Sequence, residues 1–158
     1  MRRETFSVVE HVLQDFPRIV DSMMSREAYL ESIVHSSFNT DLTIRGGDAA
    51  GISLSMPERV LEKKLKDVEY QELLGIVESL SDAFSCLPPV YYNVFSLFYF
   101  DSCLDIEIAD SLNCSESWIK RIRHRVIRRL SSVCLRVLYF VERWRKRERK
   151  RLNKAIRN

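Results

Sequence analysis

Residues 87–130 read LPPVYYNVFSLFYFDSCLDIEIADSLNCSESWIKRIRHRVIRRL. The stretch parses as a leading helix followed by two helices joined by a tight turn, the second of them loaded with arginine. Ile108 and Ala109 stand where the first helix of such a unit must be apolar and then small, because a small residue lets two helices cross closely at a steep angle. Leu112 closes that helix, and Asn113 and Cys114 form the turn. Asn113 falls where the backbone needs a left-handed residue, a conformation in which glycine is the usual choice and asparagine the next most tolerant. Ser115 is placed to cap the second helix by accepting a backbone N–H of its first turn. Ile119 and Ile122 face back into the core. This is the grammar of a helix-turn-helix, and it predicts an all-α fold.

The flanking sequence extends the helical pattern. Phe6, Val9, Val12 and Leu13 predict a short helix over 4–15, ended by Pro17, and Ile19, Met23, Leu30 and Ile33/Val34 a second over 18–35. Together they make an N-terminal helical part over 1–35. Residues 36–55 contain three of the four glycines and read as a flexible connector. A linking helix over 56–86 opens with a capping box, Ser55 and Glu58, with Pro57 in its first turn. Its apolar stripe runs Leu61, Leu65, Val68, Leu73, Ile76/Val77, Leu80 and Phe84, and Pro88-Pro89 stops it. On propensity alone, Val90–Phe100 suits a strand as well as a helix. From Ser115 onward nothing breaks a helix, so one long helix is expected from Glu116 into the 140s and beyond. It spans the end of a DNA-binding domain over 87–132 and a basic extension over 133–158. Val133, Val137, Phe140/Val141 and Trp144 continue its apolar stripe, which must pack on the Ser55–Cys86 helix or on a second subunit.

Composition narrows the function. A chain of 158 residues is one domain, or one with an appended module. No run of 18 apolar residues suits a membrane span, and MRRETFSVVEHVL lacks the apolar core of a signal peptide. Cys86, Cys103, Cys114 and Cys134 have no C-x-x-C spacing and read as reduced, buried thiols of a cytoplasmic protein. His11, His35 and His124 fall in separate segments, away from any metal-ligand spacing. No phosphate loop or nucleophile motif occurs. Glu69/Glu72 and Asp105/Glu107 read as solvated acids. The expectation is a protein that is not an enzyme and holds no metal or cofactor.

The net charge of +3 conceals an asymmetry. Residues 115–158 carry 16 Lys and Arg against three acids, a balance of +13, and residues 1–114 carry nine against 19, a balance of −10. One half therefore faces a polyanion. Duplex DNA demands cations that displace counterions from phosphate. It also demands polar side chains that reach base edges from the first turns of a helix in the major groove. Ile119, Ile122, Val126 and Leu130 form one face of the second helix, and the polar residues lie off it. Glu116, Ser117, Lys120 and Arg121 are the candidates for base contact, beside the capping Ser115. Arg123, Arg125, Arg128 and Arg129 are the candidates for phosphate, and His124 lies among them. Glu116 alternatively favours the helix N-terminus through the dipole. Trp118 packs on the sugar-phosphate backbone, on another protein, or within the fold. The tail Arg143–Asn158, with nine Lys and Arg against Glu148, is read as a non-specific nucleic-acid contact.

The stretch 87–130 resembles region 4 of bacterial sigma factors, the module that reads the upstream promoter element. Leu87-Pro88 opens the resemblance, and Val94, Leu97, Tyr99 and Phe100 match the preceding helix, which the family's register makes helical. Glu107-Ile108-Ala109 matches the E-I-A core, and Ser115, Ile119 and Lys120 match the opening of the recognition helix. Leu104 replaces a Ser or Thr cap, with Asp105 as the alternative cap. Asn113 replaces glycine, and Trp118 a small residue. No melting region precedes the module. The layout resembles phage and prophage late-gene activators of the RinA/ArpU type. These resemblances imply a bacterial or phage-encoded, cytoplasmic transcriptional regulator. It would bind double-stranded DNA, with RNA polymerase and a second copy of the chain as further partners, and no membrane. The alternatives are a sigma-like factor bound directly to RNA polymerase core, a phage DNA-packaging recognition subunit, and a helical protein whose basic half meets an acidic partner.

Overall fold

Pro17 does not end the first helix. The computed structural model describes residues 3–44 and 54–157, and α1 runs unbroken over Arg3–Ile44 with Pro17 inside it. Proline withholds an N–H from the carbonyl four residues back and costs a helix interior about 3 kcal/mol. Val9, Val12, Leu13, Phe16 and Ile19 are all buried around it. Each such side chain contributes on the order of 1.5–3 kcal/mol, which outweighs the proline. The two helices expected over 4–15 and 18–35 are thus one. Residues 36–44, expected as the start of a connector, are helical too; the rest of that expected connector, apart from Leu54 and Ser55, lies outside the described residues.

The remaining elements are α2 (Met56–Lys66), α3 (Val68–Ser85), α4 (Pro89–Tyr99), α5 (Asp105–Ser111) and α6 (Glu116–Arg157). The fold is all-α, with no strand among the described residues. None of these helices is long and apolar enough to cross a membrane. The expected linking helix over 56–86 is two helices. Asp67 separates them with an extended backbone (φ −83°, ψ 104°). Its N–H bonds the Lys63 carbonyl, and its carboxylate accepts the Tyr70 N–H at 2.8 Å, capping α3. The break also changes the expected stripe, because Leu61, Leu65 and Val68 are exposed. At the start of α2, Glu58 accepts hydrogen bonds from both the backbone N–H and the hydroxyl of Ser55.

The chain divides into two compact units, Val20–Leu74 and a larger one of Met1–Ile19 with Gly75–Asn158. The smaller unit buries Leu30, Val34, Tyr70 and Leu73. Polar clasps on α1 reinforce it. Arg26 grips Asp67 at 2.6 Å, and Lys64 reaches Glu27 and Glu31 at 2.6 and 2.8 Å. The Arg26 hydrogen bond holds the Asp67 carboxyl below the usual aspartate range. A carboxylate depressed by folding stabilises the fold above its unfolded pKa, and that contribution is lost as pH falls through the folded one. We expect Asp67→Ala to lower stability by about 1–2 kcal/mol, mostly through the lost cap. Acid titration of the wild type should show the same loss only below the ordinary aspartate range. An Asp67→Ala chain as stable as wild type at neutral pH refutes the clasp.

In the larger unit, α4 confirms the helical assignment of Val90–Phe100. It buries Val94, Phe95 and Tyr99, and Phe95 packs on Phe84 of α3. Phe16 of α1 meets the Phe84 ring edge-on, with centroids 5.0 Å apart. From α6, Ile119, Ile122, Val126, Ile127, Leu130, Cys134, Val137, Val141 and Trp144 are buried. The helix does not change character at 132–133, where the DNA-binding domain was expected to end. Its distal part meets α1, a partner that the periodicity alone did not name. Arg18 lies over the Trp144 ring at 5.8 Å, and Arg145 bonds the Asp15 carboxylate and the His11 carbonyl. Of the four cysteines only Cys134 is buried, its thiol pushed up to about 12 by that burial. Cys86 is exposed, and Cys103 and Cys114 are half-buried, so the expectation of four buried thiols fails at three of them.

Candidate nucleic-acid interface

The turn between α5 and α6 takes the expected form. α5 buries Ile108 and Ala109 and ends at Ser111, with Leu112 as its cap. Asn113 adopts φ 50°, the left-handed region that favours glycine or asparagine. Cys114 N–H returns to the Ala109 carbonyl at 3.0 Å. The Ser115 hydroxyl then accepts the Trp118 N–H at 3.3 Å, capping α6. A second left-handed residue, Ser102 at φ 55°, lies between α4 and α5, where the sequence offered no glycine or asparagine to mark it. Leu104 precedes α5 without a side-chain cap, and Asp105 does not cap in its place. Glu107 instead accepts the Leu104 N–H at 2.7 Å, closing half of a capping box.

The first turns of α6 hold their polar groups outward. Ser115, Glu116, Ser117, Lys120 and Arg121 are exposed, and Trp118 is half-buried. Glu116 pairs with Lys120 at 2.5 Å, one helical turn apart. That hydrogen bond holds the Lys120 ammonium above its ordinary range, so it is charged at every relevant pH. An exposed pair of this kind is weak, and a phosphate can displace the carboxylate. Arg121 donates from Nε to the Ser117 carbonyl at 3.3 Å.

Arg123 is the exception among the candidate cations. It turns inward and joins four helices. Its Nη1 donates to both carboxylate oxygens of Asp105 at 2.9 Å, and its Nη2 to Glu10 of α1 at 2.9 Å. Its guanidinium lies 3.5 Å from the centroid of the Phe98 ring on α4. With 18% of its side chain exposed and its charge shared with two carboxylates, it stands apart from the exposed candidates for phosphate. His124 stacks on Phe6, with ring centroids 4.7 Å apart, and stays exposed. Arg125 donates to the Tyr91 hydroxyl at 3.3 Å, and Arg129 lies over the same ring at 5.3 Å. Both remain exposed, as does Arg128. The sequence reading missed Glu10, Phe6, Tyr91 and Phe98. Each lies 25 or more residues from its α6 partner, beyond what local periodicity can pair.

The exposed face of α6 is longer than the expected recognition segment. Arg121, Arg125 and Arg128 stand opposite the buried row. At steps of three or four residues the same face continues through Ser132, Arg136 and Tyr139 to the basic tail, all exposed. Past Trp144 no residue of α6 is buried. By contrast, residues 75–114 carry six acids and no Lys or Arg. A polyanion is thus repelled from the α3–α5 side of this unit and drawn to the outer face of α6.

Comparison of the chain with protein-family models, with characterised proteins and with solved structures finds no match.

Proposed function

We propose that this chain is a sequence-specific double-stranded DNA-binding regulator of transcription. It sets the first turns of α6 in the major groove, as the second helix of a helix-turn-helix. The observation that carries this reading is the pairing of a left-handed turn at Asn113 with a Ser115-capped helix whose opening residues are polar, cationic and exposed. Ser117, Lys120 and Arg121 reach base edges, and Arg125, Arg128 and Arg129 lie on phosphate. Glu116 either accepts from a cytosine amino group or keeps Lys120 in place. The resemblance to sigma region 4 supports a promoter as the site and RNA polymerase as the partner, in the manner of a phage or prophage activator.

Selection from a duplex library across a salt series tests the reading. A motif that persists at physiological salt supports it, whereas sequence-blind binding that salt abolishes leaves only a basic surface. Lys120→Ala combined with Arg121→Ala should erase discrimination between the selected site and a scrambled one, with helicity unchanged. Full discrimination by that double variant defeats the assignment of the recognition helix.

A further inference from the structure

Resting on that reading, we infer that the distal half of α6 is a second duplex-binding surface, which holds a different segment of DNA from the one its first turns read. Arg143, Lys146, Lys150, Lys154 and Arg157 repeat at three- and four-residue steps on one exposed face, with no acid among them. They continue the face that carries Arg121, Arg125 and Arg128, and α6 is unbroken between the two sets. At about 1.5 Å per residue, Arg143 lies roughly 33 Å along the axis from Arg121, and the distal cations span about 21 Å more. A major groove about 12 Å wide and 8.5 Å deep accommodates a helix for a few turns before the duplex curves away. Long helices also bend with their solvent face convex, which turns the outer face further from a convex partner. A duplex seated on Ser117–Arg121 is therefore out of reach of Lys146–Arg157. The spacing of those cations, one per helical turn, suits a row of phosphates and reads no bases.

The test uses the full chain and two 30-base-pair mixed-sequence duplexes, one labelled with a donor fluorophore and one with an acceptor. Wild type should bring donor and acceptor together, and the complex should weigh as one chain with two duplexes. Lys146→Gln, Lys150→Gln, Lys154→Gln and Arg157→Gln together keep a good helix former at every position. This variant should lose the transfer signal at least tenfold, while binding to a single duplex that carries the selected motif changes less than about threefold. Because four phosphate contacts disappear, the salt slope of second-duplex capture should fall by about 3 to 4. Single-duplex binding that falls in parallel with bridging overturns the inference, because the distal cations then serve the same duplex. Bridging retained by the variant also overturns it, since two copies joined elsewhere would then be responsible. Wild type that binds one duplex without ever bridging overturns it and leaves the proposed function standing. Wild type that binds no duplex overturns both.

Discussion

Arg123→Ala should destabilise the larger unit by about 3 kcal/mol, although the residue lies in the midst of the cations proposed to meet DNA. Removing one partner of a buried ion pair costs about 3–5 kcal/mol, because the stranded charge keeps its desolvation penalty. Glu10 and Asp105 are both stranded, with 26% and 14% of their side chains exposed, so the lower end of that range applies. Loss of the contact with Phe98 adds about 0.5–1 kcal/mol. For a chain of this length the change corresponds to a midpoint lower by roughly 6–12 °C. Arg123→Lys should recover only part of the loss, because an ammonium is a point charge and cannot fork between two carboxylates. Glu10→Ala should then cost less in the Arg123→Ala background than alone, since the pair it removes is already broken. Thermal and denaturant unfolding of the three single variants and the double variant read this directly. A stable Arg123→Ala chain whose DNA affinity falls, with a salt slope lower by about one, would restore Arg123 to the phosphate contacts.

Arg123 also marks where the sequence stopped being legible. In the turn between α5 and α6, what is set by residues within four or five positions of each other is readable. Ile108-Ala109 packs inward, Asn113 turns left-handed and Ser115 caps α6, each for a reason local to its own turn. α4 is legible too, once its register against α5 and α6 decides between helix and strand. The direction in which a cation points is not local. Arg123 and Arg125 are two residues apart on one helix, yet the first faces Glu10, 113 positions away, and the second faces solvent. Pro17 misleads in the opposite sense. Its local cost is real, but burial on both sides offsets it, and burial depends on distant partners such as Phe84, Phe100 and Trp144. At Asp67 the expected helix ran through a residue that serves its neighbours better as a cap than as a helical position. Leu61, Leu65 and Val68 keep helical spacing and still lie exposed, because spacing states which residues share a face and not whether that face is covered.

Trp144→Ala should have the largest effect of any single substitution discussed, a loss of about 3–5 kcal/mol, by the usual cost of truncating a buried tryptophan. Its side chain is 2% exposed and heads the fully buried side chains by volume. Yet it lies 12 residues beyond the expected end of the DNA-binding domain at 132. It packs where Arg18 covers the ring and Arg145 ties α6 to α1, so the expected basic extension is partly core. The loss should therefore reach the recognition helix, because Trp144 and Ile119 belong to one unbroken helix in one compact unit. The chain has a single other tryptophan, Trp118 at the start of α6, which remains as a reporter. In Trp144→Ala its emission should change at a lower denaturant midpoint, with the slope of the transition unchanged. Truncation after Leu130 should be more severe, since it also removes Cys134, Val137 and Val141 from the core. A truncated chain 1–130 that unfolds with wild-type stability would mean that residues 131–158 are an appendage. A truncated chain that does not fold would make the first 14 residues of α6 past Leu130 as necessary to the recognition helix as its own Ile119 and Ile122. Charge at the far end of α6 and base contact at its start would then be two uses of a single rigid element.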